Sequence, residues 1–225
     1  MKEVTVYLVR HGETYFNIFD EFQGWSDTPL TAHGQQQLAI TARILQPLIF
    51  SKIYTSDTAR AMTSAAQIQQ INQWQLPVIS WADLREHFYG AFEGKNVTAT
   101  WQLIAQSHQY RDYADLVAHY SVDTAQDFLA AVDPAQLAET SAQFWTRFLS
   151  GLQRIFHENQ SDRPVLLISH SANIRALIAR FAPDQLSPLN PENSKITKVR
   201  LTMTPTLTIK VVSYNQQSQR VIKGD

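Results

Sequence analysis

The chain has 225 residues, 44% of them hydrophobic and 17% charged, a composition typical of globular proteins and unlike disordered or fibrous chains. Its 19 basic and 20 acidic residues nearly balance, so we expect no broad surface for nucleic acid or membrane lipid, and any anion site has to be local. The absence of cysteine excludes disulfides, thiolate nucleophiles and cysteine-bound metals. Without a basic leader or a membrane-spanning apolar run, the sequence predicts a cytoplasmic protein with one domain, residues 1–225.

Short apolar runs alternate with longer helix-like stretches along the chain. The three strand and helix pairs are 4–9 with 30–45, 51–56 with 57–70, and 163–170 with 171–181. In the first helix Leu38, Ala42 and Leu45 share one stripe, and Ser56 is the candidate N-cap of the second. This alternation is typical of a parallel sheet covered on both faces.

Two later regions break the alternation. Between Ala91 and Thr140 the strand patterns vanish and the composition turns aromatic and acidic, which predicts a helical insertion lying over the sheet as a lid. Residues 197–215 alternate polar and apolar side chains around Pro205 and predict a closing β-hairpin. The predicted fold is an α/β three-layer sandwich with a mostly parallel central sheet, helices on both faces and this insertion above the active site.

Two histidines stand at the ends of predicted strands. His11 follows the first apolar run and His170 ends the run 165–169. Because ligands of open α/β sheets bind outside the carboxyl ends of the strands, we expect both imidazoles in one crevice. Arg10 precedes the first histidine, and Arg60 lies where a third strand leads into its helix, so two guanidinium groups converge on the same place.

These groups suit a phosphoryl group. Guanidinium forks and imidazolium donate to its non-bridging oxygens, while a neutral imidazole attacks phosphorus when its other ring nitrogen is held as N–H. We therefore predict His11 as the nucleophile. The leaving alkoxide needs a proton from a carboxylic acid, for which Glu86 is the candidate and Glu93 the competitor.

Five segments carry a resemblance to a known family. They are LVRHGET together with Asn17, FQGWSDTPLTAHG, YTSDTARAMTSA, LREHFYGAFEG and LLISHSANIRAL. In this order they resemble the histidine phosphatase superfamily, in the branch of phosphoglycerate mutases and broad phosphomonoesterases. The likeness spans residues 4 to about 94 and about 164 to 178 and is specific as a set, whereas Arg-His-Gly alone is a weak signal.

The resemblance implies roles for individual residues. His11 is similar to the residue that becomes phosphorylated, and the implied phosphate contacts are Arg10, Arg60, His170 and Asn17. Glu86 stands four residues before Gly90, as the family's proton donor stands before its glycine.

A loop and one departure from the family pattern concern the substrate. The backbone at Gln23 and Gly24 resembles the loop that meets the substrate. Ser171 occupies the position after the second histidine, where the family usually has glycine. Serine retains a backbone N–H and adds a hydroxyl, but its Cβ narrows the approach to a ligand, so we expect an effect on substrate size.

The other histidines show no catalytic pattern. His33, His87, His108, His119 and His157 are expected to be solvated or to cap helices. None forms a His-Glu-x-x-His motif, so we predict no metal and no other cofactor. The expected partner is a small phosphate ester, and the sequence does not indicate an oligomeric state.

The predicted insertion bears on the substrate. From 91 to 146 there are two cations, Lys95 and Arg111, and seven acids, Glu93, Asp112, Asp115, Asp123, Asp127, Asp133 and Glu139. Such a lid repels a second phosphate or a carboxylate on a substrate. Its aromatic residues are Trp101, Tyr110, Tyr113, Tyr120, Phe128, Phe144 and Trp145; they line a leaving-group pocket or, as the better-favoured interpretation, form core.

Three functions remain open from the sequence. The leading hypothesis is a metal-independent phosphomonoesterase that works through a phosphohistidine. The second is a phosphoglycerate mutase primed by 2,3-bisphosphoglycerate, which the acidic insertion disfavours. The third is a phosphate-binding regulatory module without turnover, which the complete set of candidate catalytic residues disfavours.

Overall fold

The computed structural model describes residues 2–218 and contains a six-stranded sheet. The strands are β1 (Glu3–Arg10), β2 (Ile53–Thr55), β3 (Val78–Ser80), β4 (Val165–Ser169), β5 (Ile196–Met203) and β6 (Leu207–Gln216). Their order is β3-β2-β4-β1-β5-β6. The first four in this order are parallel, and β5 and β6 continue the sheet antiparallel. The closing pair is the hairpin that the sequence predicted around Pro205.

Eight α-helices accompany the sheet within the described residues. They are α1 (Tyr15–Ile18), α2 (Ala32–Leu45), α3 (Ala59–Ile71), α4 (Val97–Ser107), α5 (Tyr113–His119), α6 (Val122–Val132), α7 (Ser141–Glu158) and α8 (Ser171–Phe181). None of them is both long and apolar enough to cross a membrane.

The helices cover both faces of the sheet. Along β1 successive side chains point to opposite faces, so Leu8 packs in a cluster with α7 and α8, whereas Val9 packs in another with α2 and α3. The predicted stripe of Leu38, Ala42 and Leu45 lies in the second cluster and is fully buried. The three-layer α/β sandwich is confirmed.

Helices α4, α5 and α6 form the predicted helical insertion and have a core of their own. Trp101, Leu116 and Leu129 pack there against Phe22 and Tyr89. Aromatic residues of the insertion thus largely build core, which was the better-favoured interpretation.

Three details of the sequence analysis need correction. Phe144 and Trp145 belong to α7 and to the core beneath the sheet, not to the insertion. Thr58, not Ser56, is the N-cap residue of α3. The Ser56 hydroxyl is hydrogen-bonded instead to the side chains of Thr58 and His170. Strand β3 was not predicted. It is an edge strand of three mostly exposed residues, too short to show an alternation of polar and apolar side chains.

The strand order places three strand ends side by side. Arg10 pairs with Ser169 across β1 and β4, so the residues that follow, His11 and His170, leave the sheet next to each other. Strand β2 lies on the other side of β4 and leads into α3, whose second residue is Arg60.

Candidate active site

His11 is a buried imidazole with a defined tautomer. The ring is 3% exposed, its Nδ1 donates to the Gly12 carbonyl at 2.8 Å, and its Nε2 accepts from Arg60 Nε at 3.3 Å. Burial and the charges of Arg60 and Arg10 hold the His11 pKa well below its usual value. At neutral pH the ring is uncharged, with its lone pair on Nε2.

His170 stands beside this ring. The two ring centroids are 5.4 Å apart. Nδ1 of His170 accepts from Arg60 Nη2 at 3.2 Å, so Nε2 carries the proton and donates to Ser56 Oγ at 2.8 Å. Burial and the Arg60 charge lower the pKa of His170 as well. The structure therefore brings the two histidines together as neutral rings bridged by one guanidinium.

The Arg60 guanidinium is fixed by main-chain acceptors. It is fully buried, and its Nη2 donates to the carbonyls of Gln23 and Gly24 at 3.0 and 2.7 Å. Its Nη1 donates to the carbonyl of Ser26 and to Asp27 Oδ1, both at 2.9 Å. Because these acceptors fix both terminal nitrogens, the guanidinium is held in place next to the two imidazoles.

The Arg10 guanidinium has fewer hydrogen-bond acceptors around it. Its Nη1 donates to the Pro191 carbonyl at 2.6 Å, while its buried Nε has no hydrogen-bond partner among the described residues. Burial lowers the pKa of Arg10 to about 10, so the group is still cationic at neutral pH. A guanidinium held in this way favours a bound anion.

The Glu86 carboxyl group lies in the same place. It is 4% exposed and accepts the backbone N–H groups of His87 at 3.0 Å and of Ala172 in the first turn of α8 at 2.9 Å. Burial raises the pKa of Glu86, although these hydrogen bonds oppose the shift. A raised pKa is the property that a general acid needs near neutral pH.

Glu93, the competing acid, is used differently. Its carboxylate accepts the backbone N–H groups of Gly24 at 3.0 Å, Trp25 at 3.0 Å, Ser26 at 3.2 Å and Tyr89 at 3.1 Å. It therefore fixes the loop that supplies carbonyls to the buried arginine, and it is not a residue of the cavity wall.

The predicted contact Asn17 lies in the cavity wall. Its Oδ1 accepts from the Thr14 N–H and from Asn193 Nδ2, both at 3.1 Å. Asn193 Nδ2 also donates to the His11 carbonyl at 3.0 Å. The carboxamide of Asn17 is thus oriented by a bridge to the backbone of the candidate nucleophile.

The predicted substrate loop reaches the cavity with one of its two residues. Gln23 is in the wall, but its side chain is bound to Thr14 and Thr28. Gly24 is not in the wall, and a Cβ there would collide with the His87 carbonyl oxygen. Ser171, the first residue of α8, lies in the wall and is half-buried.

The site opens into a cavity of about 730 Å³. The arginines in its wall are Arg10, Arg111 and Arg175, and the carboxylates are Glu13, Asp20, Glu21, Glu86, Asp112 and Asp123. Residues of α4, α5 and α6 contribute to the wall, so the insertion covers part of the site. Arg60 and His170 are not in the wall and contact His11 instead.

His87 was wrongly expected to be solvated or to cap a helix. It is 4% exposed, lies in the cavity wall and stacks on Phe144 at a centroid distance of 3.8 Å. Burial and the Arg147 charge lower its pKa to about 3. The expectation of solvent exposure is met by His33, His119 and His157.

Sequence patterns did not indicate several residues that shape the site. Ser56 binds His170, Asp27 binds Arg60, and Asn193 binds both His11 and Asn17. Each contact joins residues more than 30 positions apart, and short polar residues in turns carry no local signal for such pairing.

Comparison with known proteins places this geometry in a family. The model of the histidine phosphatase superfamily (branch 1) matches residues 6–205. A 2,3-bisphosphoglycerate-dependent phosphoglycerate mutase of Bartonella quintana is 31% identical over 77% of this chain and 79% of its own. The structure of phosphoglycerate mutase from Bacillus anthracis str. Sterne superposes with a TM-score of 0.87, at 26% identity and 98% and 96% coverage of the two chains.

A phosphatase shares the architecture. The mycobacterial glucosyl-3-phosphoglycerate phosphatase has a TM-score of 0.71 at 21% identity, over 95% of this chain and 99% of its own. At this identity the likeness concerns the fold. With a family model that matches most of its length and a mutase relative at 31% identity, the chain belongs to the histidine phosphatase superfamily, branch 1.

Proposed function

We propose that this protein hydrolyses small phosphate monoesters through a phosphohistidine on His11. The observation that carries the proposal is the neutral His11 ring, whose Nδ1–H is bound to the Gly12 carbonyl, in a cavity that also contains the Glu86 carboxyl group. A nucleophile with its lone pair on the other nitrogen and a nearby carboxyl group with a raised pKa are the two groups that phosphoryl transfer to histidine requires.

In the first step Nε2 of His11 attacks phosphorus. A nitrogen–phosphorus bond forms while the bond from phosphorus to the ester oxygen breaks, and Glu86 gives its proton to the departing alkoxide. The Arg60 Nε–H now bound to Nε2 is released to a phosphoryl oxygen as the lone pair is used. The Gly12 carbonyl stabilises the positive charge that develops on the imidazole.

The other cationic groups bind the non-bridging oxygens. Arg10 has a buried Nε–H without a partner among the described residues, which makes it a ready donor. Arg60 is fixed before the substrate arrives, so little reorganisation accompanies charge development. A bound phosphoryl dianion favours the protonated form of His170, in which Nδ1 becomes a donor and gives up the hydrogen bond that it accepts from Arg60 Nη2.

In the second step water attacks the phosphorus of the phosphohistidine. Glu86, now a carboxylate, takes a proton from this water, the nitrogen–phosphorus bond breaks, and inorganic phosphate leaves. His11 returns to its neutral form and Glu86 to its acid form. None of these steps uses a group from outside the chain other than the ester and water, and the expectation that no metal takes part stays a prediction.

Mutase activity is the second candidate, since relatives at 31% and 26% identity carry that name. Such an enzyme has to bind a primer with two phosphates and a carboxylate. Six carboxylates and three arginines line this cavity, and one of those arginines, Arg111, is bound to Asp112 and Asp115. This charge pattern disfavours a second phosphate.

The two candidates are separated with 3-phosphoglycerate, with and without catalytic 2,3-bisphosphoglycerate. We expect free phosphate to form faster than 2-phosphoglycerate. Interconversion faster than phosphate release would replace the phosphatase by the mutase. Alkaline quenching during turnover of labelled substrate should trap phosphate on the wild-type chain that acid then releases, and none on His11→Ala. A protein inactive on a panel of phosphate esters and unlabelled at His11 would instead be a binding module.

A further inference from the structure

The proposed acid Glu86 stands in a part of the chain without regular secondary structure. Residues 85–89 form an irregular segment between two short 3₁₀ helices, Ala82–Leu84 and Gly90–Phe92. Buried backbone carbonyls outside helices and strands need hydrogen-bond donors from elsewhere in the molecule. The position of residues 83–88, which we call the acid segment, therefore depends on groups that other elements supply.

Arg147 of α7 supplies three of these hydrogen bonds. Its Nη1 donates to the carbonyls of Asp83 at 3.0 Å and Arg85 at 2.8 Å, and its Nη2 donates to the carbonyl of Glu86 at 3.2 Å. The side chain is 14% exposed. One guanidinium thus joins three carbonyls of the acid segment, including that of the proposed acid itself.

The Glu139 carboxylate holds this guanidinium on its other side. Oε1 of Glu139 accepts from Arg147 Nε at 2.8 Å, and Oε2 accepts from Arg147 Nη2 at 2.6 Å. All five N–H donors of the arginine therefore have acceptors. Arg10 differs, since its buried Nε has no partner among the described residues. Arg147 holds groups of the protein and has no donor left for a ligand.

Glu139 also connects the acid segment to the insertion. Its backbone N–H donates to the Phe88 carbonyl at 2.8 Å, and its own carbonyl accepts from Gln126 Nε2 of α6 at 3.1 Å. The ion pair of Arg147 and Glu139 thus lies where the chain returns from the insertion to α7. It joins this return to the segment that carries the proposed acid.

Helix α8 fixes the acid segment from a second direction. Asn173 Nδ2 donates to the carbonyls of Leu84 at 3.2 Å and Arg85 at 3.1 Å. The N–H of the neighbouring Ala172 donates to the Glu86 carboxyl group at 2.9 Å. Because the main chain of the segment and the carboxyl group are both bound to α8, a shift of the main chain would misalign the carboxyl group.

We propose that Arg147 is a positioning residue for the proton transfer, which keeps the Glu86 carboxyl group within reach of the leaving oxygen. The inference rests on the proposed function, in which Glu86 protonates the departing alkoxide. Arg147 is not among the described residues that line the cavity, so it acts through the acid segment and not on the substrate. Displacing a reacting group by about 1 Å lowers a rate by about 10²-fold, which sets the upper limit of the effect.

The test compares alkyl and aryl phosphates in Arg147→Met, which removes every donor of the side chain. We expect kcat to fall about 10- to 100-fold with the alkyl ester and less than about threefold with the aryl ester, with KM nearly unchanged for both. In the Glu86→Gln background, Arg147→Met should lower kcat by less than a further factor of about two, because the proton donor is already absent. Equal losses with both esters, or losses that multiply in the double variant, would overturn the proposal.

Arg154→Met is the matched control. Arg154 lies on the same helix two turns further along and also reaches the acid segment, but only the carboxylate of Asp83, at 3.4 Å, and its side chain is 46% exposed. Removing it should leave the rates with both esters within about twofold of wild type.

Arg147→Lys separates the charge of Arg147 from the geometry of its donors. Lysine keeps the positive charge but cannot reproduce the fork, so this variant should show the same dependence on the leaving group as Arg147→Met. A lysine variant with the wild-type rate on the alkyl ester would show that the charge alone acts, which would overturn the proposal.

Amide hydrogen exchange measures the positioning without turnover. The N–H groups of His87 and Ala172 donate to the Glu86 carboxyl group. By NMR they should exchange at least about tenfold faster in Arg147→Met than in wild type, while the N–H of Leu167 in β4 stays protected.

Glu139→Gln is the second variant for this measurement, and circular dichroism establishes that each variant folds. It keeps the guanidinium but weakens its ion pair, so a smaller change in the same direction is expected even if Arg147→Met fails to fold. Wild type without phosphate release, together with faster exchange in the variants, would refute the hydrolase alone. Phosphate release with unchanged exchange would refute the positioning role alone. Neither release nor a change in exchange would refute both.

Discussion

The two ends of the cavity are built differently. At the reaction end, His11, Arg60 and His170 are at most 3% exposed and each is held by hydrogen bonds to strand ends or to the backbone. At the insertion end, Arg111 is largely exposed and is held by two neighbouring carboxylates, Asp112 and Asp115, at the start of α5. The residues of the proposed reaction are thus fixed by buried hydrogen bonds next to the sheet, whereas Arg111 at the insertion end is held by exposed ion pairs.

The largest effect is expected at the reaction end. His11→Ala should lower phosphate release by at least about 10³-fold, because in the proposed mechanism this residue forms the covalent bond to phosphorus. The matched control His33→Ala removes an exposed imidazole and should have wild-type activity. Initial rates with an aryl phosphate measure both, and circular dichroism establishes that both fold.

Residual activity of His11→Ala within about tenfold of wild type would show that another group attacks phosphorus. In that case the carboxylates of the insertion end, rather than the imidazoles, would have to be examined as nucleophiles. The contrast between the two ends would then be reversed.

Glu86→Gln should have the next largest effect. We expect a loss of about 10²-fold with alkyl phosphates and a smaller loss with aryl phosphates, since an aryl leaving group needs little protonation. Burial raises the pKa of Glu86 above its usual value, so the acid form persists to higher pH and is lost as pH rises through that pKa. The corresponding decline of kcat/KM should disappear in the variant, as measured with one alkyl ester.

Glu93→Gln is the control for this prediction. It retains the shape of the side chain but weakens its bonds to the loop N–H groups, so both kinds of ester should lose rate in the same proportion. If instead Glu93→Gln shows the leaving-group dependence and Glu86→Gln does not, the proton donor has been assigned to the wrong carboxyl group.

The fold and the reaction end were predictable because they depend on local signals. Strands with β-branched or apolar runs end at His11 and His170, and a parallel sheet brings such ends to one edge. The short edge strand β3 escaped prediction because it has only three residues, two of which are exposed. Ser56 was misassigned because a serine before a helix has the pattern of an N-cap, whereas its hydroxyl is bound to His170.

The rest of the site depends on contacts between distant parts of the chain. Arg10 is held by Pro191, 181 residues away, and His11 by Asn193, 182 residues away. Neither partner belongs to a periodic pattern. His87 is a further case, since its burial follows from stacking on Phe144 of α7 and not from any feature of its own segment. The contacts of such residues can be identified only from the tertiary structure.

A smaller effect, on stability, is expected from His87→Phe. Burial lowers the His87 pKa to about 3, below the pKa of the same group in the unfolded chain. The contribution of the neutral ring to the free energy of unfolding is therefore complete above pH 6.5 and is lost as the pH falls from there toward 3. Each proton that the chain takes up on unfolding lowers the free energy of unfolding by about 1.4 kcal/mol for every pH unit of acidification. The variant should therefore lose less unfolding free energy between pH 6.5 and 4, as measured by urea titration.

The exposed His157 provides the control, because His157→Phe should follow the wild-type pH dependence. His11 and His170 also have lowered pKa values, so wild type and both variants retain an acid-sensitive component from the reaction end. A His87→Phe curve parallel to wild type would mean that His87 is already solvated in the native protein.

The smallest effect is expected from Ser171→Gly. The serine lies in the cavity wall at the start of α8, directly after His170, and we expect its Cβ to limit the space for bulky esters. Removing it should lower the KM of bulky esters by less than about tenfold and leave small esters nearly unchanged. If KM rises for every ester instead, the hydroxyl binds the phosphoryl group, and Ser171 belongs to the reaction end rather than to the wall that selects the substrate.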